Sequence, residues 1–435
     1  MRRSSVAPRN RQSRAARASS AGHELERVGW VLGGGGARGA YEVGVLDYIF
    51  DRVARALGAP IPLDVISGTS VGAIHGCALG AGVEEPRAVT RALAGRWSAL
   101  SMNDVVRVDR RRAFEAIRAL LGRTPRRPSS EAHRGGILDA RPLEALLSSS
   151  IDFRRLGEHV RSGRLHAVSV TATHVASGRT TVFFQGGDAD GVPWARGRTW
   201  AFPTTLVPAH AMASAAIPFL FPAVRIRGAL HCDGSLRQHV PLSPARRLGA
   251  RALVVVNSHA PRGSLPDDDP AREGAFPGPV FLLGKVLNAL TLDRVDGDIE
   301  RLELVNRLLA AGTRQFGSSF LPKLNAELLA GGAAPALPIR LLHLRSSEDI
   351  GRLSALHVRS RAFRERPLGL VERALARLAE GEADDEADLT SYLLFDGAFA
   401  RALIDLGRRD AHAQHDRIVA FFHEVLAARA RRDAA

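Results

Sequence analysis

Two apolar runs in this chain each break into glycine and then into a helix-like stretch, and that repeated pattern constrains the fold most. Val28-Gly29-Trp30-Val31-Leu32 reads as a buried strand that runs into Gly33-Gly34-Gly35-Gly36-Ala37-Arg38-Gly39, with an amphipathic segment from Ala40 to Ile49 behind it. Leu63-Asp64-Val65-Ile66-Ser67 runs into Gly68-Thr69-Ser70-Val71-Gly72, with the small-residue stretch Ala73–Ala78 behind it. Strand, tight glycine turn and helix, used twice, predict an α/β domain around a mainly parallel sheet.

The second turn fits G-x-S-x-G in the strand–turn–helix context that gives the motif its meaning. A turn that tight forces the serine into a strained backbone conformation, and glycines two positions before and after it let neighbouring chain approach closely. The Ser70 hydroxyl then projects above the sheet at the positive end of the following helix. This is the arrangement of a nucleophile that forms an acyl-enzyme.

The first turn has two functional readings. Gly34 to Gly39 fits G-x-G-x-x-G, the phosphate fingerprint of dinucleotide folds, which calls for an acidic residue at a strand end about 20 residues on. Asp51 reads as helical, and Asp64 reads as lying inside the next strand. The same glycines can instead aim consecutive backbone N–H groups at the oxygen that turns negative when Ser70 attacks an ester. Beside a serine turn the oxyanion reading is the stronger; a plain glycine turn is the bland alternative.

A nucleophilic serine needs a base. His75 falls on the helix after Ser70, where the helical step carries it away from the nucleophile's face. His174, His210, His231 and His239 are scattered over predicted strand ends and turns, and none has metal-ligand spacing. Leu230-His231-Cys232-Asp233-Gly234-Ser235 reads as a short strand ending in an Asp-Gly turn. It follows Ala211–Phe219, a small-residue helix stopped by Pro218, and precedes the strand Ala252–Val256.

The order of glycine loop, G-x-S-x-G, small-residue helix with Ile-Pro, and Asp-Gly resembles the patatin-like phospholipase family over roughly Val28 to His259. The resemblance implies a three-layer α/β patatin-like fold and a Ser–Asp dyad instead of a Ser–His–Asp triad. Carried onto this chain, Ser70 is the nucleophile and Asp233 the proton acceptor. Gly34, Gly35, Gly36, Ala37, Arg38 and Gly39 form the oxyanion loop, with donors around Gly35, Gly36 and Ala37. Gly68, Thr69, Val71 and Gly72 frame the elbow, and Gly234 and Ser235 complete the Asp-Gly motif. The family has Gly or Ala after Asp-Gly, so Ser235 is a departure that can reshape the turn aiming Asp233. The implied activity is hydrolysis of acyl lipids, phospholipids foremost, with no cofactor and no metal. A His-assisted esterase or thioesterase on a soluble ester and a catalytically silent lipid-binding protein are the alternatives, and a nucleotide-binding protein ranks behind them.

The 435 residues, 45% of them hydrophobic, are enough for a large core with an appended region. Two cysteines, Cys77 and Cys232, make no disulfide framework and fit a cytoplasmic setting. The formal net charge is +15, yet lysine occurs only at 285 and 323, so the excess is arginine. Without an aromatic-rich RNA motif or a zinc spacing, this charge reads as attraction to an anionic lipid surface and not to nucleic acid. Residues 1–26 read as a disordered basic tail with no apolar signal segment, and no run of 18 apolar residues predicts a membrane span. Residues 27–260 form the expected catalytic domain, and residues 261–435 a mostly helical region packed on it. Arg110, Arg111, Arg112, Arg126 and Arg127 mark either an exposed loop or a membrane-facing rim. The C-terminal region is expected to hold a helix over Val280–Leu309, a last strand over Leu337–Leu344, and helices over Pro367–Leu378, Leu389–Leu406 and Ala411–Ala430.

Overall fold

In a computed structural model of the chain, residues 26–108, 136, 138–187, 193–260, 279–331, 333, 335–369, 371–373, 375–376 and 388–433 are described. The basic tail, the arginine cluster between 110 and 127 and the loop 261–278 lie outside the described residues. The strands are β1 (Arg27–Leu32), β2 (Val65–Thr69), β3 (Arg107–Val108), β4 (Leu138–Asp139), β5 (Ala167–His174), β6 (Arg179–Gly186), β7 (Trp194–Arg196), β8 (Thr199–Pro203), β9 (Val224–Ile226), β10 (Ala229–Asp233), β11 (Ala250–Asn257) and β12 (Arg340–Arg345). β3 and β4 form a separate antiparallel pair. The other ten make one sheet in the order β12-β11-β1-β2-β5-β6-β8-β7, with β10 and β9 attached beside β5. Its centre, β12 through β5, is parallel throughout.

Alternate residues of the central strands feed two cores, as the period of a strand requires. Trp30, Leu32, Ile66, Val254 and Val256 point into the larger one, beneath the helices Gly39–Tyr48, Val71–Ala81, Pro86–Ala99 and Gly397–Ala413. Val31, Val65, Leu253 and Val255 point to the other face, covered by Leu242–Arg247 and by the long helix Pro279–Phe316, through Ile299 and Leu302. Helices on both faces of a buried parallel sheet make the three-layer α/β architecture.

The C-terminal region folds back onto the first half of the chain. β12 adds to β11 in parallel, from Arg340 onward instead of Leu337. Gly44 and Gly407 let the helices Gly39–Tyr48 and Gly397–Ala413 touch: a Cβ on Gly44 would sit 2.0 Å from the Ile404 carbonyl oxygen, and one on Gly407 2.2 Å from that of Tyr41. The continuous helix expected over Leu389–Leu406 is two helices, Asp388–Leu393 and Gly397–Ala413. Asp396 breaks it by accepting the Phe399 N–H at 2.9 Å as an N-cap. Gly397 sits against the Ser98 carbonyl oxygen, 2.4 Å from where a Cβ would lie. The last helix runs from His415 to Asp433 and not from Ala411, because Gln414 interrupts it. Helices Phe320–Ala330 and Ile350–Arg359 were not legible in the pattern.

Candidate active site

β5 is the template on which the site is assembled. β2 pairs with it in parallel as far as Thr69 against Thr171, and β2 then ends. On the same edge, at the very next position, β10 arrives from the opposite direction and sets Asp233 against Ala172. Two strands meeting end to end on one neighbour bring Ser70, just past the end of β2, to Asp233, the last residue of β10. The Ser70 hydroxyl donates to Asp233 Oδ2 at 2.7 Å.

Ser70 has φ 54° and ψ −125°, left-handed territory that an L-residue enters only under constraint. The constraints are identifiable. A Cβ on Gly68 would lie 2.5 Å from Ala73 Cα, and one on Gly72 2.4 Å from the Leu32 carbonyl oxygen, so both flanking positions admit only glycine. The Ser70 N–H donates to Ser214 Oγ at 2.8 Å, and the Ser214 hydroxyl donates to the Thr171 carbonyl at 2.5 Å. Thr69 Oγ1 is bound to the Gln238 carbonyl at 3.0 Å. Ser214 escaped the sequence reading because one serine in a run of alanines looks like helix filler.

Asp233 is fully buried, and burial pushes its carboxyl from 3.8 up to about 6, against the opposing pull of the Ser235 N–H and the Ser70 hydroxyl. Ser235 N–H donates to Oδ1 at 2.7 Å, Asp233 N–H donates to the Ala216 carbonyl, and Thr173 Oγ1 donates to the Asp233 carbonyl. Ser235 therefore keeps the Asp-Gly turn intact. Its hydroxyl lies beneath the glycine loop, 2.2 Å from where a Cβ on Gly34 would sit.

The loop after β1 curls over this pair. Gly33 N–H donates to the Val256 carbonyl and Gly34 N–H to that of His239. Gly35 (φ 156°) and Gly36 (φ 55°) take backbone angles open to glycine, and a short 3₁₀ turn follows over Gly36–Arg38. Among the described residues no acceptor takes the N–H groups of Gly35, Gly36 or Ala37. Gly35 and Gly36 line a cavity together with Ser70 and Asp233. Gly36 and Ser70 also border a larger cavity, walled by Ile74, Leu93, Trp97, Leu147 and Phe395.

Asp64 precedes β2 and does not lie inside it; its carboxylate accepts the Val28 N–H and pairs with Arg429, at the end of the sheet remote from the glycine loop. Asp51, in a helix, pairs with Arg87. Neither acid the dinucleotide reading needs is available.

His75, His174, His210 and His231 are otherwise engaged. His75 does not turn away from the site: it borders the large cavity beside Ser70. Its Nδ1 bonds to Glu42 Oε1 at 2.6 Å, and its Nε2 accepts the Trp97 indole N–H at 3.0 Å. His210 accepts the Val207 N–H, and His231 and His174 face each other across β10 and β5. Burial lowers His210 and His231 to about 4, and lowers His239, beneath the glycine loop, to about 3. Among the described residues no cluster of His, Cys, Asp and Glu could hold a metal ion, and Cys77 and Cys232 are free thiols.

A family model for patatin-like phospholipases matches residues 30–246, the stretch from β1 to just short of β11. The chain belongs to the patatin-like phospholipase family. Lipid hydrolysis is the activity that this membership assigns to it. No curated protein sequence matches the chain. Among solved structures it is similar to VipD from Legionella pneumophila, with 12% identity, 88% of this chain and 67% of that one covered, and a TM-score of 0.30. It is also similar to human GIVD cytosolic phospholipase A2 bound to methyl gamma-linolenyl fluorophosphonate, with 13% identity, coverage of 95% and 62%, and a TM-score of 0.36. A third likeness is to the type III effector ExoU, with 16% identity, coverage of 92% and 89%, and a TM-score of 0.24. The chain spans about two thirds of the length of the first two. The family assignment rests on the family model.

Proposed function

We propose that this patatin-like chain is a serine acyl hydrolase working through a Ser70–Asp233 dyad, and that it acts on phospholipids at an anionic membrane surface. The observation that carries the mechanism is the 2.7 Å hydrogen bond from the Ser70 hydroxyl to a buried carboxylate under a glycine loop. Asp233 takes the Ser70 proton as Oγ attacks the ester carbonyl carbon. The carbonyl oxygen becomes an oxyanion held by N–H groups of Gly35, Gly36 and Ala37. As the tetrahedral intermediate collapses, the C–O bond to the alcohol or lysolipid breaks and Asp233 returns the proton to that oxygen. Water then enters, gives a proton to Asp233 and attacks the acyl-enzyme; the ester to Ser70 breaks, the fatty acid departs and Ser70 regains its proton. A carboxyl raised to about 6 is a better base than an ordinary aspartate and is still ionised at neutral pH.

The apolar walls of the larger cavity fit a fatty acyl chain. At the rim, Phe219 is 65% exposed and held at φ 67°, between Ile217 and Pro218 on one side and Leu220 and Phe221 on the other, all four of which line the cavities. An aromatic ring held outward at that place supports contact with a lipid surface. No described helix is long and apolar enough to cross a membrane.

The test is labelling with a fluorophosphonate followed by mass spectrometry of the labelled peptide, with the acids released from a mixed lipid extract identified in parallel. Label on Ser70 and loss of both label and released acid in Ser70→Ala are expected; label elsewhere, or acid release by Ser70→Ala, refutes the reading.

A further inference from the structure

The glycine loop is gripped from two sides, and one side belongs to the C-terminal region that the family model does not reach. From the sheet, the Val256 carbonyl at the end of β11 holds Gly33. From the other side comes the short helix Asp388–Leu393. A Cβ on Gly36 would lie 2.3 Å from the Tyr392 carbonyl oxygen, so the two backbones are in direct contact. Arg38, 3% exposed, donates from Nε to Ser391 Oγ at 2.7 Å and lays its guanidinium over the Tyr392 ring, 4.2 Å from the centroid. The Tyr392 hydroxyl bonds His259 Nε2 at 3.0 Å, and His259 Nδ1 bonds Asn257 Oδ1 at 2.8 Å, which returns the chain of contacts to β11. Leu389, Tyr392 and Leu393 wall the smaller cavity; Phe395 walls the larger one and stacks on Trp97 at 6.2 Å.

A loop rich in glycine has no side-chain packing of its own to hold its amides in one direction. Oxyanion donors act only when preorganised, and a misplacement of about 1 Å costs on the order of a hundredfold. We propose that Ser391 and Tyr392 are positioning residues: they clamp Gly36 and Arg38 so that the loop amides stay aimed at the carbonyl that Ser70 attacks. The C-terminal region then completes the active site instead of merely decorating the domain. This proposal rests on the Ser70–Asp233 reading.

The experiment compares wild type with Ser391→Ala, Ser391→Thr, Tyr392→Leu and Tyr392→Phe on a soluble p-nitrophenyl ester. It adds the affinity of a long-chain trifluoromethyl ketone, whose adduct with Ser70 carries an oxyanion, and that of 1-decanol, which is uncharged and forms no adduct. Ser391→Ala and Tyr392→Leu should lower kcat about tenfold or more with KM little changed, and should weaken the ketone by the same factor. Decanol affinity and melting temperature should stay near wild type. Ser391→Thr, which keeps the hydroxyl, should restore most of the loss, and Tyr392→Phe should fall between. Should Ser391→Ala fail to fold, Arg38→Lys, which keeps the charge but has no Nε–H for Ser391, takes its place with the same expectation. Unchanged kcat and ketone affinity in Ser391→Ala and Tyr392→Leu overturn the clamp alone. A parallel fall of decanol and ketone affinity overturns it too, since the cavity wall has then changed and not the aim of the amides. A wild-type enzyme that neither forms the ketone adduct nor takes label on Ser70 removes the dyad reading, and the clamp with it.

Discussion

Asp233→Asn should stabilise the protein at neutral pH while abolishing its activity, and the size of the gain follows from the burial of the carboxyl. In the folded chain the group titrates at about 6, against 3.8 when free. The shift of about two units corresponds to about 3 kcal/mol at 1.36 kcal/mol per unit. Because the folded pKa is the higher one, the folded state binds the proton more tightly than the unfolded state. The stability this provides is complete below pH 3.8 and is lost as pH rises through about 6. Asparagine does not titrate. The difference in unfolding free energy, Asn variant minus wild type, should therefore grow by about 2–3 kcal/mol between pH 4 and pH 8, in favour of the variant. Taking the difference cancels the titration of groups common to both proteins. Urea unfolding followed by circular dichroism at half-unit pH steps measures it, with the slope checked for constancy. Wild-type kcat/KM on a soluble ester should rise with pH through a midpoint near 6, since only the carboxylate can accept the Ser70 proton. A flat free-energy difference across that window, or an activity midpoint near 4, would refute the argument that burial tunes this base.

Three further outcomes are expected. Ser70→Ala and Asp233→Asn should each reduce p-nitrophenyl ester hydrolysis to background, and the double variant should be hardly slower than either, because the pair acts as a unit; additive losses would show independent roles. Replacing His75, His174, His210, His231 or His239 singly by Gln should leave turnover within about tenfold, although His75→Gln should cost roughly 1–3 kcal/mol of stability by unseating Glu42 and the Trp97 indole. A thousandfold loss of rate at any one of them, with the fold intact, would mean a histidine base. Phe219→Ala should cut hydrolysis of anionic vesicles about tenfold while leaving the soluble ester untouched, since the ring lies at the rim and takes no part in the dyad; equal rates on vesicles would leave the ring without a role at the surface.

Local chemistry made much of the catalytic half legible. Gly68 and Gly72 are readable because a serine turn between a strand and a helix tolerates nothing larger on either side. The strands around Val31, Ile66 and Val254 are readable because buried parallel strands are apolar on both faces. Asp233 could be picked out only in the company of the other motifs, since an Asp-Gly turn by itself is ordinary. Leu389–Leu406 read as one helix because its apolar period runs on through Leu394 and Phe395, while the cap that stops it depends on how Asp396 and Gly397 meet Phe399 and Ser98. Ser214 carried no local signal, and neither did the contact of Ser391 with Arg38, which spans 353 residues.

What the amino-acid sequence determined by itself is whatever near neighbours decide: the strand–turn–helix units, the glycine turns and the serine that the second turn presents. What only the tertiary structure decided is which distant groups meet. β2 and β10 end against each other on β5, so Ser70 touches Asp233 across 163 residues. The burial that raises Asp233 and the contacts of Ser391 and Tyr392 with the glycine loop likewise arise from segments with no local preference for one another. Their meeting is set by how the two faces of the sheet are covered, because burial of apolar surface is non-directional and chooses partners only when the whole chain is packed.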